Sequence, residues 1–442
     1  MIKSKAFKRL FAVVALSCAA CLSAVLGGCA ASGKDGVNGK DLNIYDIYEA
    51  AKAVSGNPDL TMDEFLKQYL SYSPSELEQI TSLRAAVNKT LLASVSVVSA
   101  HKIGTTNGYR VERHAGSGVI IDIDRENGDM TVLTNCHVVY TADENVIGDG
   151  YSDDVSLWLY GGESGNYKVT NKNEIPAELI ATSRTHDVAL LKVTGSETVK
   201  KSKAEKANWC AREENYVGET VYAIGNAKGE SMSATVGYIS KDIEEITVNG
   251  GTDDNPQIMT RTALRTSAQV NPGNSGGGLF NADGELVGLI TAKSKTETDR
   301  GYALTAAATK RVVKKLLDAY NGEITRGISL VNHGIEVDVT DSYSTGLNAQ
   351  GLAEICEEVS ISSASNGGNA TFSLFRGDVI KGVKVIRNGS VADEIAVMRE
   401  HNFDDIMLSV TAGDRVEFSI RRGGNDITVS LTFTAKDFRQ AE

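Results

Sequence analysis

Between residues 91 and 322 the chain is a succession of short apolar segments separated by Gly, Asn and Asp, and this pattern restricts the fold more than any other feature. Within the segments, apolar residues alternate with polar ones or form brief continuous runs, as in β-strands. The segments are residues 93–98, 118–121, 130–133, 155–159, 189–193, 220–224, 234–240 and 286–291. Because no long helix separates them, we predict a mainly β fold built from antiparallel barrels.

Helical signals flank this region. Thr61 and Glu64 have the spacing of a capping box, and Pro74 is placed as the first residue of a helix. Paired apolar residues predict a closing helix over residues 309–317. We also predict a helix over residues 391–400, inside the otherwise strand-rich C-terminal segment.

The first 28 residues have the layout of an export signal. Basic residues precede an apolar run over residues 10–26, which is shorter than a membrane-spanning helix. The run ends in Leu26-Gly27-Gly28-Cys29, which resembles the lipobox of bacterial lipoproteins. That resemblance implies cleavage before Cys29 and its lipidation, whereas a plain signal peptide would leave Cys29 unmodified.

Charge and cysteine content exclude several classes of protein. The formal net charge is -12, which argues against broad binding to the phosphates of a nucleic acid, because such binding needs a basic face. Beyond residue 29 the cysteines are Cys136, Cys210 and Cys356, an odd number without paired spacing. We therefore predict no disulfide framework and no zinc site. The catalytic chemistry considered below requires no metal and no organic cofactor.

Ser275 lies inside a glycine-rich segment, residues 271–278. Glycine permits positive φ, so the N–H groups of Gly273 and Ser275 could converge to stabilise an oxyanion, a contribution of about 3–4 kcal/mol per donor in one protease. The same residues would equally suit a type II turn between strands.

A histidine and an aspartate complete a possible catalytic set. His137 follows an apolar strand and Asp187 precedes another. Each alone is more typical of a packed histidine or a turn acceptor. A serine nucleophile, however, needs a neutral imidazole, which needs a buried carboxylate. The order His137, Asp187, Ser275 is that of the two-barrel proteases.

Other residues compete for these roles. Asp122, Asp124 and Asp129 are nearer to His137 in sequence but cluster in a polar, turn-like loop. His186 is adjacent to Asp187, and neighbours on a strand point to opposite faces, so we predict that His186 is a surface residue.

In the order of its motifs the chain resembles the HtrA/Deg family of trypsin-like serine proteases. The similar segments are residues 116–120, 133–139, 187–191, 221–226, 235–240, 271–279, 284–290 and 301–304. The resemblance implies a chymotrypsin-like double antiparallel β-barrel over about residues 91–322. It also implies His137 as base, Asp187 as orienting acid, Ser275 as nucleophile, and the N–H groups of Gly273 and Ser275 as oxyanion donors.

The chain departs from the family pattern at several positions. Cys136 stands where Asn is commoner, Ser267 where Asp often occurs, and Gly278 where Pro is usual. The separation of His137 from Asp187 also exceeds the family's spacing, and we predict an inserted surface loop over about residues 142–173. Such an insertion costs little because loop-closure entropy grows slowly with length.

The C-terminal segment resembles, more weakly, the PDZ domains that follow such proteases. Residues 327–330 would form a carboxylate-capturing loop and strand edge, and residues 375–380 and 410–416 would form recurrent turns. A small α+β domain that only packs on the protease is the alternative. The predicted organisation is a signal peptide (1–28), tether and short helices (29–90), protease domain (91–322) and PDZ-like domain (323–442).

The resemblance implies a serine endopeptidase for unfolded exported polypeptides, anchored through Cys29 to the outer face of a bacterial membrane and compatible with a homo-oligomer. Its primary pocket would be lined by Ala268, Gln269, Val270, Ile290, Thr291 and Ala292. None is charged, so we expect cleavage after small or medium apolar residues. The alternatives are a catalytically silent protease-fold scaffold and an acidic solute-binding lipoprotein.

Overall fold

The computed structural model describes residues 48–49, 52, 59–62, 64–65, 74–163, 173–214, 216–251, 256–293, 300–321, 327–348, 351–364 and 373–441. The chain divides into two compact units, Met1–Glu78 and Gln79–Glu442. The predicted signal peptide, Cys29 and the glycine-rich tether lie outside the described residues. In the described ranges, no helix has both the length and the apolar character needed to cross a bilayer.

The first unit contains a small packed cluster. Leu60 and Phe65 are buried, and Tyr48 packs against them. The backbone N–H of Thr61 donates to Glu64 Oε2 over 3.0 Å, and the N–H of Glu64 donates to Thr61 Oγ1 over 3.2 Å. These reciprocal bonds confirm the predicted capping box.

Helix α1 begins at the predicted first residue, Pro74, and is followed by the first barrel. The helix and strands are α1 (Pro74–Leu91), β1 (Ser94–Thr105), β2 (Gly108–Asp124), β3 (Asp129–Thr134), β4 (Asp154–Leu159), β5 (Ile175–Ser183) and β6 (Val188–Val193). The strands close in the order β1-β2-β3-β6-β5-β4. Their apolar side chains, including Val97, Ile120 and Leu191, fill the barrel. Two short helices, α2 (Cys136–Val139) and α3 (Glu197–Lys201), follow β3 and β6.

The second barrel is a 7-stranded antiparallel sheet apart from one short parallel edge. Its elements are β7 (Asn208–Trp209), β8 (Thr220–Gly225), β9 (Ser233–Asn249), β10 (Ile258–Thr266), β11 (Gly278–Asn281), β12 (Glu285–Lys293), β13 (Gly301–Thr305) and the closing helix α4 (Ala306–Asn321). The order is β11-β8-β9-β10-β13-β12-β7, and β11 also pairs with β12. Val312 and Leu316 of α4 join Leu190 and Phe280 in a core between the barrels. The predicted mainly β, double-barrel fold class is confirmed.

The C-terminal part has its own sheet and core. Its elements are β14 (Ile328–Val331), β15 (Ile335–Leu347), β16 (Ala353–Ala364), β17 (Val379–Arg387), β18 (Ser390–Ala396), α5 (Glu400–Met407), β19 (Arg415–Arg422), β20 (Asn425–Thr432) and β21 (Phe438–Ala441). A 6-stranded sheet has the order β15-β16-β17-β19-β20 with β18 on β17, and β14 pairs with β21. Phe403 and Ile406 of α5 pack on Val385 and Phe418 of the sheet.

The predicted helix over residues 391–400 is wrong. Most of that segment is β18, which pairs with β17 and places Ile395 opposite Val383. The helix begins at Glu400, where apolar residues recur at the helical spacing of three and four. Pairing with a neighbouring strand, which local sequence does not reveal, decides the conformation of β18.

The predicted loop insertion over residues 142–173 is also wrong in part, because it contains β4. Leu157 and Trp158 of this strand are buried, and β4 pairs with both β1 and β5. The strand is needed to close the first barrel, so those residues cannot be a surface loop.

Candidate active site

His137, the predicted base, lies on α2 directly after β3. The other residues of this helix, Cys136, Val138 and Val139, are buried and fix it, while the imidazole is 45% exposed. Burial raises the pKa of the Cys136 thiol to about 12, so the residue that replaces the commoner Asn is a neutral packing group.

Asp187, the predicted orienting acid, occupies the last position of the turn before β6. Its φ is 55°, a left-handed conformation that aspartate adopts more readily than most residues. Asn135 Nδ2 donates to the backbone oxygen of Asp187 over 2.9 Å. The strained turn brings the Asp187 carboxylate into the interior, where it is 1% exposed.

The Asp187 carboxylate is saturated with donors. His137 Nδ1 lies 2.9 Å from each oxygen, and the His137 backbone N–H donates to Oδ1 over 3.1 Å. Thr291 Oγ1 donates to Oδ2 over 2.6 Å, and Arg261 Nη1 lies 3.3 Å from Oδ2. Burial alone would raise the pKa of Asp187, but His137, Arg261 and Thr291 together lower it. The ionised carboxylate assigns a proton to Nδ1, which leaves Nε2 available as a base.

Ser275, the predicted nucleophile, lies in the bend between β10 and β11. The N–H of Ser117 donates to the Ser275 backbone oxygen over 2.8 Å. The next residue, Gly276, has φ of 81°, and a Cβ there would lie 2.2 Å from Thr134 Oγ1 and 3.1 Å from the Asn135 nitrogen. Glycine therefore lets Ser275 approach the residues that immediately precede the His137 helix. In the described part of the chain, no hydrogen bond joins Ser275 to His137.

Gly273, a predicted oxyanion donor, lies in the bend that precedes Ser275. Its φ is 98°, and a Cβ would lie 2.2 Å from the Asn226 oxygen, so only glycine fits. Its carbonyl is held by Ser117 Oγ over 2.7 Å. Across the described residues, neither the Gly273 N–H nor the Ser275 N–H donates to a protein acceptor. Both donors are therefore available to an incoming oxygen.

The predicted pocket residues fall into two groups. Ala268, Val270 and Ile290 are buried in the core of the second barrel, whereas Gln269 is exposed. Thr291 and Ala292 line a cleft of about 690 Å³ that also exposes His137. Thr291 also donates a hydrogen bond to the Asp187 carboxylate, a role that its place in the sequence did not indicate.

The competing residues have other roles. Asp122 and Asp124 are exposed, Asp124 accepts bonds within its own turn, and Asp129 accepts the Gly195 N–H. The prediction that His186 is a surface residue is wrong, because its ring is half-buried against Ser183 Oγ and burial lowers its pKa to about 4. Neighbouring side chains alternate between faces only on a strand, and His186 precedes β6 rather than lying on it.

Two departures from the family pattern have local explanations. At Gly278, where proline is usual, a Cβ would lie 2.3 Å from the Phe280 ring. Ser267 Oγ, where an aspartate often stands, accepts the Tyr238 N–H over 3.0 Å.

The contact of Arg261 with Asp187 was not predicted from the sequence. An alternating strand pattern does not show which distant carboxylate an arginine on that strand will contact. Within the described ranges, no group of three or more His, Cys, Asp or Glu could hold a metal ion.

Comparison with known proteins identifies similar chains. A family model for the trypsin-like peptidase domain matches residues 116–289. The chain is 28% identical over 369 residues to the serine protease Do-like HtrA of Bacillus subtilis, covering 81% of this chain and 70% of that protein. It is 27% identical over 329 residues to a probable periplasmic serine endoprotease DegP-like of Ectopseudomonas mendocina, covering 73% of this chain and 57% of that protein. A solved structure, the HtrA-type protease AlgW with tripeptide, aligns with 21% identity and a TM-score of 0.48 over 81% of this chain and 97% of that chain.

Proposed function

Because this chain belongs to the HtrA/Deg family of trypsin-like serine endopeptidases, we propose that it cleaves unfolded exported proteins with a triad of Ser275, His137 and Asp187. The observation that carries the proposal is the contact of His137 Nδ1 with the buried Asp187 carboxylate at 2.9 Å. That contact orients an imidazole that lines an open cleft. The two available N–H groups of the glycine-rich bend support the same role.

In the proposed reaction, Ser275 Oγ attacks the scissile carbonyl carbon and its proton passes to His137 Nε2. The oxyanion accepts bonds from the N–H groups of Gly273 and Ser275. The C–N bond then breaks, and His137 gives its proton to the leaving amine, which forms an acyl-enzyme. Water attacks the ester, His137 takes the water proton and returns it to Ser275, and the new carboxyl end departs. Asp187 stabilises the imidazolium in both halves.

Covalent labelling and casein hydrolysis test this proposal. Ser275→Ala and His137→Ala should each reduce hydrolysis to background, and Asp187→Asn should slow it by about 10⁴-fold through the wrong tautomer. A fluorophosphonate should label the wild type but not Ser275→Ala, and Ser240→Ala is the control for loss of an exposed serine. Full hydrolysis by His137→Ala would overturn the triad. A folded wild type that neither labels nor hydrolyses would support a silent scaffold.

We propose that the primary pocket takes small or medium apolar residues, because neither Thr291 nor Ala292, the predicted pocket residues that line the cleft, is charged. Such side chains are buried in folded proteins, so unfolded chains would be preferred. Cleavage sites in a denatured proteome test the proposal, and a dominant preference for Lys or Arg would contradict it.

We propose that the C-terminal domain is PDZ-like, captures chain ends and acts on the protease. Its contacts with helix α4 support such coupling: Lys315 Nζ donates to Ser329 and Val410 oxygens, and Arg311 bridges Glu213 and Asp393. Removal of residues 327–442 tests the proposal. Unchanged peptide affinity and unchanged turnover of a long substrate would reduce this domain to a packing role.

The proposed location is the outer face of a bacterial membrane, through lipidated Cys29. This proposal rests on the lipobox-like sequence and on relatives named as periplasmic. A labelled fatty acid should mark the wild type, and Cys29→Ser should release the protein into the soluble exported fraction. Retention of Cys29→Ser on membranes would identify another anchor.

A further inference from the structure

Arg261 contacts the buried carboxylate of Asp187. It lies on β10 of the second barrel, and its side chain is only 9% exposed. Nη1 lies 3.3 Å from Asp187 Oδ2, Nη2 donates to the Arg184 oxygen over 3.1 Å, and Nε donates to the Thr185 oxygen over 3.3 Å. One guanidinium thus holds both the carboxylate and the backbone of the strained turn that presents it.

This contact gives the buried carboxylate a permanent positive partner. Among the described residues, Asp187 has the only carboxylate within ion-pair distance of Arg261. Arginine stays protonated at all relevant pH values, whereas His137 must cycle between neutral and charged forms. Arg261 therefore balances the Asp187 charge even when His137 is neutral, the form in which it must accept a proton.

Other ionisable groups also face this arrangement. Glu244 and Glu245 of β9 line the catalytic cleft with Arg261, and Asp404 and Asp405 of α5 line a second cavity, of about 210 Å³, with Arg261 and His186. The groups adjoining the turn are Cys136, Arg184 and His186. Burial keeps the Cys136 thiol neutral and lowers the pKa of His186 to about 4, so neither supplies a charge near neutral pH.

We propose that Arg261 is a positioning residue of the triad, which fixes the Asp187 carboxylate and sets the pH at which His137 becomes a competent base. This inference rests on the proposed function of the triad. The positive charge of Arg261 offsets the field by which Asp187 stabilises the imidazolium. It therefore shifts the onset of activity to lower pH, while leaving the Nδ1 proton held in place.

The pH dependence of kcat/KM tests the proposal. Arg261→Gln should raise the acidic midpoint of the kcat/KM profile by about one pH unit. Below that midpoint kcat/KM should fall about tenfold, and on the alkaline plateau it should fall far less. Arg265→Gln is the matched control, because Arg265 lies on the same strand but pairs with Glu244 at 3.6 Å. It removes an equal charge and should leave the midpoint unchanged.

A second measurement separates this inference from the proposed function. In a Ser275→Ala background, NMR of labelled histidines follows protonation of the His137 ring without any need for turnover. The ring should gain its proton at higher pH when Arg261→Gln is added and not when Arg265→Gln is added. This result does not depend on hydrolysis, so a failed triad and a failed role for Arg261 are distinguishable.

Arg261→Lys keeps the positive charge and is the variant to test if Arg261→Gln does not fold. Lysine cannot reproduce the fork of donors to residues 184 and 185, so the plateau should fall a few-fold while the midpoint stays near that of the wild type. A midpoint that stays unchanged in folded Arg261→Gln, or that rises by a full unit in folded Arg261→Lys, would overturn the proposal. A uniform loss of activity at every pH would reduce Arg261 to a structural residue.

Discussion

Asp187, with φ of 55°, and Gly273, with φ of 98°, adopt positive-φ backbone conformations that shape the candidate site. Each is held by contacts from elsewhere in the fold: Asn135 Nδ2 bonds the Asp187 oxygen, and Ser117 Oγ bonds the Gly273 oxygen. Such conformations persist only where the surroundings fix them. At this site they aim a carboxylate at His137 and leave the Gly273 N–H free.

Gly273→Ala should remove one oxyanion donor. A Cβ there would lie 2.2 Å from the Asn226 oxygen and 2.9 Å from the Lys228 nitrogen, so the Gly273 peptide has to rotate away. We expect kcat to fall by about 10²–10³-fold with a smaller change in KM. Gly195→Ala is the control, because Gly195 has φ of 66° but open space around it. Steady-state kinetics of a folded Gly273→Ala with wild-type kcat would contradict the assignment.

Among the elements, three turns of the C-terminal domain share one construction. In each, an aspartate accepts the backbone N–H of the residue three positions earlier: Asp378 from Phe375, Asp414 from Thr411 and Asp437 from Thr434. The bond fixes the turn locally, because the donor N–H and the accepting carboxylate are only three residues apart. Two of them, residues 375–380 and 410–416, are the turns that sequence analysis predicted.

Asp414→Ala should lower the free energy of unfolding far more than removal of an exposed carboxylate would. Asp414 is 2% exposed and pairs with Arg387 at 2.7 Å. Burial alone would raise the pKa of Asp414, but Arg387 and Thr411 lower it overall. Its removal leaves Arg387 Nε and the Thr411 N–H without an acceptor, although Arg387 Nη2 keeps its bond to the Ser409 oxygen. We expect a cost of about 3 kcal/mol. Urea denaturation measures this cost.

Asp426→Ala is the matched control for that measurement. Asp426 also pairs with an arginine, Arg421, but is 73% exposed, so its removal should change stability little. Equal losses from the two substitutions would show that burial does not determine the strength of these pairs.

At the scale of the whole second unit, polar contacts join the protease barrels to the C-terminal domain. Arg399 of that domain pairs with Asp242 of the second barrel, and Asn402 Nδ2 donates to Glu214. Asp404 and Asp405 of α5 line the cavity that also contains Arg261. Burial raises the pKa of Asp405 to about 7. The junction therefore contains a carboxylate that ionises near neutral pH.

Asp405→Asn should make stability less dependent on pH. The folded pKa of about 7 exceeds the unfolded value of about 3.9, so the folded state binds more protons between those values. Stability of the wild type should therefore fall as pH rises through this window. Near Asp405, Arg311 opposes the shift, while Glu213, Asp404 and Glu214 reinforce it.

Calorimetry at pH 5 and pH 8 measures this effect. The difference in Tm between the two pH values should shrink in Asp405→Asn, mainly because the variant is more stable than the wild type at pH 8. Asp318→Asn, on the exposed face of α4, should keep the wild-type difference. An Asp405→Asn protein with the full wild-type difference would contradict the prediction.

Local sequence was sufficient for much of the fold. Short apolar segments located strands such as β3, β6 and β8, Thr61 and Glu64 predicted a capping box, and Pro74 predicted the start of α1. These features depend on residues within a few positions of one another, so their physics can be read along the chain. The glycine-rich bend around Ser275 could also be predicted from local sequence, because the ability to adopt positive φ is a property of single residues.

Only the tertiary structure decided which distant residues meet. Thr291 reaches Asp187 across 104 positions, and Arg261 reaches it from another barrel. Residues 390–396 became β18 because β17 was available to pair with them, although their composition allowed a helix. Barrel closure and the packing of the two barrels determine these contacts, and an alternating strand pattern is the same whichever partner its side chains meet. The sequence therefore determined the elements and the order of the three predicted catalytic residues, whereas the packing of the barrels decided what surrounds Asp187.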